Sequence, residues 1–427
     1  MSLSGVKRFV KNNKVLAPIA YKVKGKMEEN TAAEKTVDVN IPEVMPISAR
    51  RDDSYSGSLR INIICPSVDK KHVFGGIATA LDFFKKLGAT CKADLRIIVT
   101  DAQVDRANMI SLPEYEVIDC EAVSSASHQI VPFASRYNKT IPVAANDVFV
   151  CTGWWTVVNI YDTLKWQAKT YAIEEKPIIY LIQDYEPGFY AWSSRYMMAD
   201  STYRLDIKTI AVFNSKLLKD YFDENGYTFY KSFCFDPIIN AGLKKYIQSY
   251  NGGIERKKQI IIYGRPSVAR NAFELIIAAL KEWSLKYEKA SEWRVISAGE
   301  NFKDIDLYNG MKVSSLGKLS IEDYAKTMLE TSVGISLMVS PHPSYPPLEM
   351  STFGIKTITN CYGSKDLSSF NENIVSLKNC STNTLCETLM KLCDGYSKEG
   401  GAVKTDTEYF EREDIFTEII EEIKKLL

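Results

Sequence analysis

The stretch Gln259-Ile-Ile-Ile-Tyr263-Gly264-Arg265-Pro266-Ser267-Val268-Ala269-Arg270-Asn271, running into Ala272–Lys286, sets the architecture of this chain. Its opening residues are dominated by isoleucine, the composition of a strand buried on both faces. Gly264 ends the run, and apolar residues at helical spacing follow. Strand, tight turn and helix form the repeating unit of a parallel sheet covered by helices, so the stretch predicts an α/β fold.

The same alternation extends in both directions. Upstream, Arg60-Ile-Asn-Ile-Ile-Cys65, Leu95–Thr100, Asp147–Cys151, Pro177–Ile182 and Thr209–Phe213 read as strands, with a helix at Ile77–Leu87. Downstream, Trp293–Ser297, Ser332–Ser336 and Lys356–Thr359 continue the pattern. The Gly/Asn/Lys-rich stretch Asn251–Lys258 separates the two sets. The expected organisation is a leader and linker over 1–58, one Rossmann-like α/β domain over 59–250 and a second over 251–406. An amphipathic helix within 407–427, apolar at Ile419, Ile420, Ile423 and Leu426, is expected to pack back on the first domain. Two such halves imply a cleft, and open parallel sheets bind ligands at the carboxyl ends of their strands.

Charge and cysteine usage narrow the function. The chain has 427 residues with 53 Lys+Arg and 53 Asp+Glu, a formal net charge of zero. A duplex nucleic acid partner calls for a basic excess, so none is expected. The 9 cysteines are scattered and the 3 histidines are few, which fits small core residues in a reducing compartment and argues against a metal centre. Neither a secretion signal nor an apolar run of membrane-spanning length stands out, so a cytoplasmic home is expected. Lys7, Arg8, Lys11, Lys14, Lys22, Lys24 and Lys26 form a basic leader without acids, suited either to solvent or to peripheral contact with an anionic membrane surface.

Several groups of residues fall just after predicted strands. Gly75-Gly76 precede a helix, where backbone amides can approach an anion. Arg265 and Arg270 bracket the turn after Gly264, and guanidinium forks match phosphate oxygens. Ser340-Pro-His-Pro-Ser-Tyr345-Pro-Pro-Leu-Glu349 reads as a rigid proline-rich loop with Glu349 opening a helix. Asp184 and Glu186, near Phe189, Tyr190 and Trp192, combine carboxylates for hydroxyls with rings for a sugar face. Asp304-Ile-Asp306 sits in a polar segment beyond its strand and is set aside as a metal motif.

Gly264-Arg265, Arg270 and Pro346-Pro347-Leu348-Glu349 followed by Gly354 resemble the nucleotide-sugar site of the retaining GT-B glycosyltransferases of family 4. The longer strings Phe74–Ile77, Gln183–Tyr190, Tyr263–Ser267 and Ser340–Glu349 resemble, within that group, the WsaF-type bacterial rhamnosyltransferases. The resemblance implies a GT-B fold, two Rossmann-like α/β domains facing across a cleft, and no metal or other cofactor. It implies a donor diphosphate held by Arg265, Arg270, Lys318, Tyr345 and Gly76. It also implies a nucleotide base and ribose at Gly317, Leu319 and Glu349, and an acceptor or transferred sugar at Gly75, Asp184, Glu186 and Tyr190. The first acid of the family's E-x7-E motif would fall at Pro341 and is absent, which points away from a glucosyl donor.

The expected activity is therefore transfer of L-rhamnose from dTDP-β-L-rhamnose, with retention, to a carbohydrate acceptor in bacterial surface glycan assembly. That acceptor is expected to be a sugar, free or lipid-linked. Two alternatives stand beside this: the same fold using a UDP- or GDP-linked sugar, and an inactive glycan-binding assembly protein.

Overall fold

The computed structural model describes residues 40–427 except Phe74, Val123 and 251–253. The basic leader 1–26, most of the expected linker, Phe74 of the glycine turn and the first residues of the expected inter-domain stretch lie outside the described residues. Asn40–Met45 contain one short turn, Pro42–Val44. From Pro46 the chain forms a single unit.

The first half contains β1 (Ala49–Arg51), β2 (Arg60–Cys65), α1 (Gly76–Cys91), β3 (Asp94–Val99), β4 (Glu116–Val117), β5 (His128–Pro132), β6 (Ile141–Val143) and β7 (Asp147–Cys151). It continues with α2 (Trp154–Tyr171), β8 (Ile178–Ile182), α3 (Ser194–Thr202), β9 (Thr209–Phe213), α4 (Lys216–Glu224) and β10 (Lys231–Cys234). Its main sheet runs β10-β9-β8-β7-β2-β3-β5-β4, with parallel pairing throughout. All residues of β2, β7, β8 and β9 are buried, because helices cover both faces of the sheet.

Alternate residues of each strand serve opposite layers. Ile61, Ile63 and Cys65 join a core with Leu81, Phe84 and Leu87 of α1, while Ile64 joins the other core with Val157, Ile160 and Leu164 of α2. Each fully buried side chain of this size contributes about 1.5–3 kcal/mol. Deleting one, as in Phe84→Ala, would cost about 3–5 kcal/mol through the cavity left behind.

The second half begins earlier than the expected boundary at 251, with α5 (Ala241–Gln248), whose Leu243 and Ile247 join the core of Ile261 and Ile296; β11 (Lys257–Gly264), α6 (Phe273–Lys286), β12 (Arg294–Gly299), β13 (Ile305–Asp306), β14 (Lys312–Ser315) and α7 (Ile321–Glu330) follow. It ends with β15 (Thr331–Ile335), α8 (Tyr345–Thr352), β16 (Lys356–Asn360), β17 (Ile374–Leu377), α9 (Thr382–Asp394), α10 (Glu408–Glu411) and α11 (Thr417–Lys424). Its sheet runs β13-β14-β12-β11-β15-β16-β17, parallel except at the β13–β14 edge. Phe416, Ile420 and Ile423 leave this half and enter the first core beside α1, where the Phe416 ring stands edge-on to Phe83 at 5.4 Å and to Phe235 at 4.9 Å.

The described fold starts before Leu59. Ile47 is buried, β1 pairs in parallel with β6, and Asp52 lies 3.0 Å from Arg60. Three residues leave no periodicity to read, and their partners lie about ninety positions away in sequence. The short strands β4, β5, β6, β10, β13, β14 and β17 escape sequence pattern for a similar reason: they are brief or polar, and their pairing is non-local.

Both sheets have a point where strand order reverses. In the first, the chain builds outward from β2 through β3 and then returns to β7 on the other side. In the second, it builds outward from β11 through β12 and returns to β15. Loops at such points diverge and leave a crevice at the carboxyl edge. The loops after β11 and β15 carry Arg265, Arg270 and Ser340–Tyr345, and those after β2 and β8 carry Gly75-Gly76 and Asp184.

Candidate active site

Gly264 closes β11 because nothing larger fits: an added Cβ would lie 2.1 Å from Ser297 Oγ and 3.0 Å from the Phe273 ring. Arg265 follows, half-buried, with Glu300 as a charged neighbour. Its guanidinium makes no hydrogen bond among the described residues. After the turn Ala269–Asn271, Arg270 reaches the other half of the chain, with Nε 3.6 Å from Asp184 Oδ2 and the guanidinium carbon 4.4 Å from the Phe189 ring centroid. The Arg270 carbonyl accepts from Val339 N at 2.7 Å, and Asn271 Nδ2 donates to Leu337 O at 3.3 Å. These bonds lock the β11 and β15 loops together.

The β15 loop is held by its own side chains. Ser340 Oγ donates to Asp184 Oδ1 and accepts from His342 N at 3.0 Å. His342 Nδ1 in turn accepts from Ser344 N at 3.0 Å. Helix α8 then begins at Tyr345, with Pro346 and Pro347 inside its first turn. The expectation of a proline loop ahead of the helix is corrected here, since first-turn amides have no intrahelical partner and proline lacks the amide at no cost.

Glu349 consequently sits in the second turn of α8, half-buried. Burial raises its pKa to about 7, opposed by the neighbouring Tyr324 hydroxyl. Burial, then Glu349, pushes the Tyr345 phenol up to about 12. The third loop, between β14 and α7, approaches the end of β12: Gly317, at φ +64°, accepts from Gly299 N at 3.0 Å through its carbonyl. Lys318 is exposed there, and Leu319 packs against the core that contains Ile261 and Ile296.

In the first half, Gly75 has φ +50° and ψ −119°, a conformation suited to glycine alone, and it precedes α1. The Gly76 carbonyl accepts from Gln183 Nε2 at 2.9 Å, which ties the glycine turn to the Asp184 segment. Asp184 is buried and faces Arg270 and Ser340. Glu186, two residues on, turns the other way. Its Oε2 accepts from Trp154 N at 2.5 Å and from Tyr180 OH at 3.1 Å, so it caps the start of α2. Burial raises its pKa to about 8, those two hydrogen bonds opposing. Tyr190 OH accepts from Trp154 Nε1 at 3.0 Å.

The structure thus gathers Asp184, Arg270 and Ser340 with Phe189, and links Gly76 to them through Gln183. Glu186 and Tyr190 engage Trp154 of their own half instead. Asp304 is paired with Lys312 at 2.6 Å, and no group of three metal-ligating side chains occurs among the described residues.

Sequence reasoning passed over Ser340, His342, Tyr324 and Lys365. Lys365 is fully buried, donates to Met338 O at 2.6 Å, and is lowered by burial to about 8. A histidine set between two prolines after a strand was the available signal for His342; Lys365 and Tyr324 had none. A separate cavity of about 820 Å³ on the outer edge of the first sheet, lined by Lys70, Arg106, Glu114 and His128, shares none of these residues.

Residues 60–216 match the family model described as WsaF, N-terminal domain, and residues 258–390 match WsaF, C-terminal domain. The O-antigen biosynthesis protein RfbC of Myxococcus xanthus is 34% identical over 183 residues, covering 42% of this chain and 14% of that protein. Among solved structures, the sucrose-phosphate synthase of Thermosynechococcus elongatus superposes with TM-score 0.55 at 11% identity, covering 86% of this chain and 98% of that one. TarM superposes with TM-score 0.57 at 9% identity, covering 87% and 99%. Similarities at such identity speak to the fold alone.

Proposed function

Because the chain belongs to the WsaF family, whose fold is GT-B, and is a glycosyltransferase, we propose that it moves L-rhamnose from dTDP-β-L-rhamnose to a carbohydrate acceptor during surface polysaccharide assembly. The observation that carries this reading is the crevice edge of the second sheet. There the loop after β11 carries Arg265, next to Gly299 and Glu300, and Arg270, whose carbonyl accepts from Val339 N in the segment that leads from β15 into α8. Two guanidinium groups beside a helix start suit a diphosphate leaving group, and Glu349 one turn deeper suits ribose hydroxyls.

In this reading residues 251–406 hold the donor, residues 59–250 hold the acceptor, and the end of the chain returns to the acceptor half. Arg265, Arg270, Lys318, Tyr345 and the Gly76 amide stabilise negative charge as the bond from the anomeric carbon to the phosphate oxygen breaks. Gly317 and Leu319 frame the base. Gly75, Asp184, Glu186 and Tyr190 lie on the sugar side, with Asp184 in contact with the sugar and Glu186 and Tyr190 shaping the wall behind it.

The acceptor hydroxyl attacks from the face the diphosphate leaves, and a donor phosphate oxygen takes its proton, which retains configuration. No helix among the described residues is long and apolar enough to cross a membrane. A lipid-linked acceptor at the cytoplasmic membrane face, approached through the basic leader, completes the proposal.

Calorimetric titration with dTDP, UDP and GDP, followed by mass spectrometry of products from dTDP-rhamnose and a panel of rhamnosyl acceptors, tests it. Tightest binding to dTDP and a product one deoxyhexose heavier are expected. Tightest binding to UDP or GDP would overturn the donor, and absence of nucleotide binding would overturn the enzyme reading.

A further inference from the structure

His342 is 5% exposed, yet its ring is only half satisfied. Nδ1 accepts the Ser344 N–H at 3.0 Å, while Nε2 is buried without a hydrogen-bond partner among the described residues. A neutral imidazole carries one proton, and a nitrogen that accepts a hydrogen bond does not hold it. The Nδ1 contact therefore assigns the proton to Nε2 and leaves a buried donor facing no acceptor among the described residues. Such a group is costly to leave unpaired, and a hydrogen-bond acceptor brought by a ligand would complete it.

A second feature points the same way. Ser344, which supplies the amide to Nδ1, has φ +68° and ψ 141°, a backbone region that residues with a side chain rarely occupy. Strain of this kind persists where the surroundings impose it. Here the strained residue delivers the one hydrogen bond that selects the Nε2–H tautomer.

The surroundings are those of the crevice. Ser340, whose hydroxyl accepts the His342 amide, is bonded to Asp184, and the Tyr345 ring lies 5.8 Å from the imidazole. The charged groups acting on the ring are Asp184, Lys365 and Arg270. Burial lowers the ring's pKa to about 4, with Asp184 opposing, so it is a neutral donor throughout the neutral range and not a proton shuttle.

We infer that His342 is a further substrate-contacting residue whose Nε2–H donates a hydrogen bond to an oxygen of the nucleotide sugar at the point of transfer, held in that tautomer by the strained Ser344 backbone. The inference rests on the donor-site reading given above and adds a residue that reading does not use. A hydroxyl of the transferred sugar and an oxygen of the phosphate attached to it offer the same acceptor chemistry.

The test uses the full chain with His342→Asn and His342→Gln. Asparagine keeps an acceptor within reach of Ser344 N–H and removes the distal donor, while glutamine restores a donor near the Nε2 position. Turnover of dTDP-rhamnose, and calorimetry with dTDP and with dTDP-rhamnose, are read beside the unfolding midpoint. The expected result is a midpoint within a few degrees of the parent, a fall in kcat/KM of about ten- to a hundredfold in His342→Asn, and partial recovery in His342→Gln.

Equal weakening of dTDP and dTDP-rhamnose would assign the contact to phosphate, and weakening of dTDP-rhamnose alone would assign it to the sugar. A folded His342→Asn with unchanged kcat/KM and affinities overturns the inference while leaving the donor site standing. If the variants fail to fold, nitrogen NMR of the unmodified protein reads the same point. An Nδ1–H tautomer, or an Nε2–H signal indifferent to saturating dTDP-rhamnose, overturns it. An unmodified protein that binds no nucleotide sugar overturns the donor-site reading and this inference together.

Discussion

At the amino end of the first sheet, buried charges satisfy one another. Arg60 grips Asp147 through two hydrogen bonds of 2.6 and 2.8 Å and reaches Asp52 at 3.0 Å, while Arg96 bonds Asn62 at 2.5 Å and approaches Asp147 at 3.4 Å. At the carboxyl edge of the second sheet the arrangement is open. Among the described residues the Arg265 guanidinium has no hydrogen bond, Arg270 meets Asp184 only at 3.6 Å, and His342 Nε2 is unpartnered. The two ends draw on similar residue types. The difference teaches that paired buried charge ties distant segments into the fold, whereas incompletely paired charge at a strand-order reversal is available to a ligand.

The largest effect is expected where the closed network breaks. Asp147→Ala leaves two buried guanidinium groups without their main carboxylate, and should cost about 3–5 kcal/mol in urea unfolding. An unchanged midpoint would dissolve the contrast, because the network would then contribute no more than exposed pairs do.

Arg265→Ala should behave in the opposite way. The expected loss is about 10²–10³ in kcat/KM for the nucleotide sugar, the scale of one removed transition-state donor, with the unfolding midpoint nearly unmoved. Full activity with lowered stability would place Arg265 with the structural arginines.

The smallest effect sharpens the comparison at Glu349. Its pKa is raised to about 7 from 4.5, so between those values the native state holds a proton that the unfolded chain has lost. Its contribution to stability therefore falls as pH rises from about 4.5 to 7 and levels off above, while buried Glu186 adds a fall that runs on to about 8. Ribose hydroxyls prefer the carboxylate, so dTDP affinity should rise a few-fold through pH 7. Glu349→Gln should flatten the affinity profile and leave the stability slope that Glu186 supplies, and an affinity dependence that survives the substitution would assign it to another group.

Much of the fold was legible because parallel strands covered on both faces have no polar side to show. Ile260–Ile262, Ile178–Ile182 and Ile61–Ile64 read as strands from composition alone. Arg265 and Arg270 were legible as a pair because the glycine turn before them is local. Asp184 and Glu186 looked equivalent, two residues apart after one strand. A short 3-10 turn beginning at Glu186 separates them, leaving Asp184 toward Ser340 and Arg270 and turning Glu186 onto the amide of Trp154. No spacing rule foresees that, because the competing partner lies thirty-two residues upstream.

Local chemistry alone accounts for the alternation of strands and helices, the glycine turns, the proline-rich helix start and the absence of a basic excess, since each depends on neighbours a few residues apart. The tertiary fold settles which of these groups meet. It joins β1 to β6, returns α11 to the first core, sets Ser340 against Asp184, and leaves His342 Nε2 buried and unpartnered among the described residues. Those outcomes follow from strand order and burial, which bring together groups far apart in the chain and remove the water that would otherwise satisfy them.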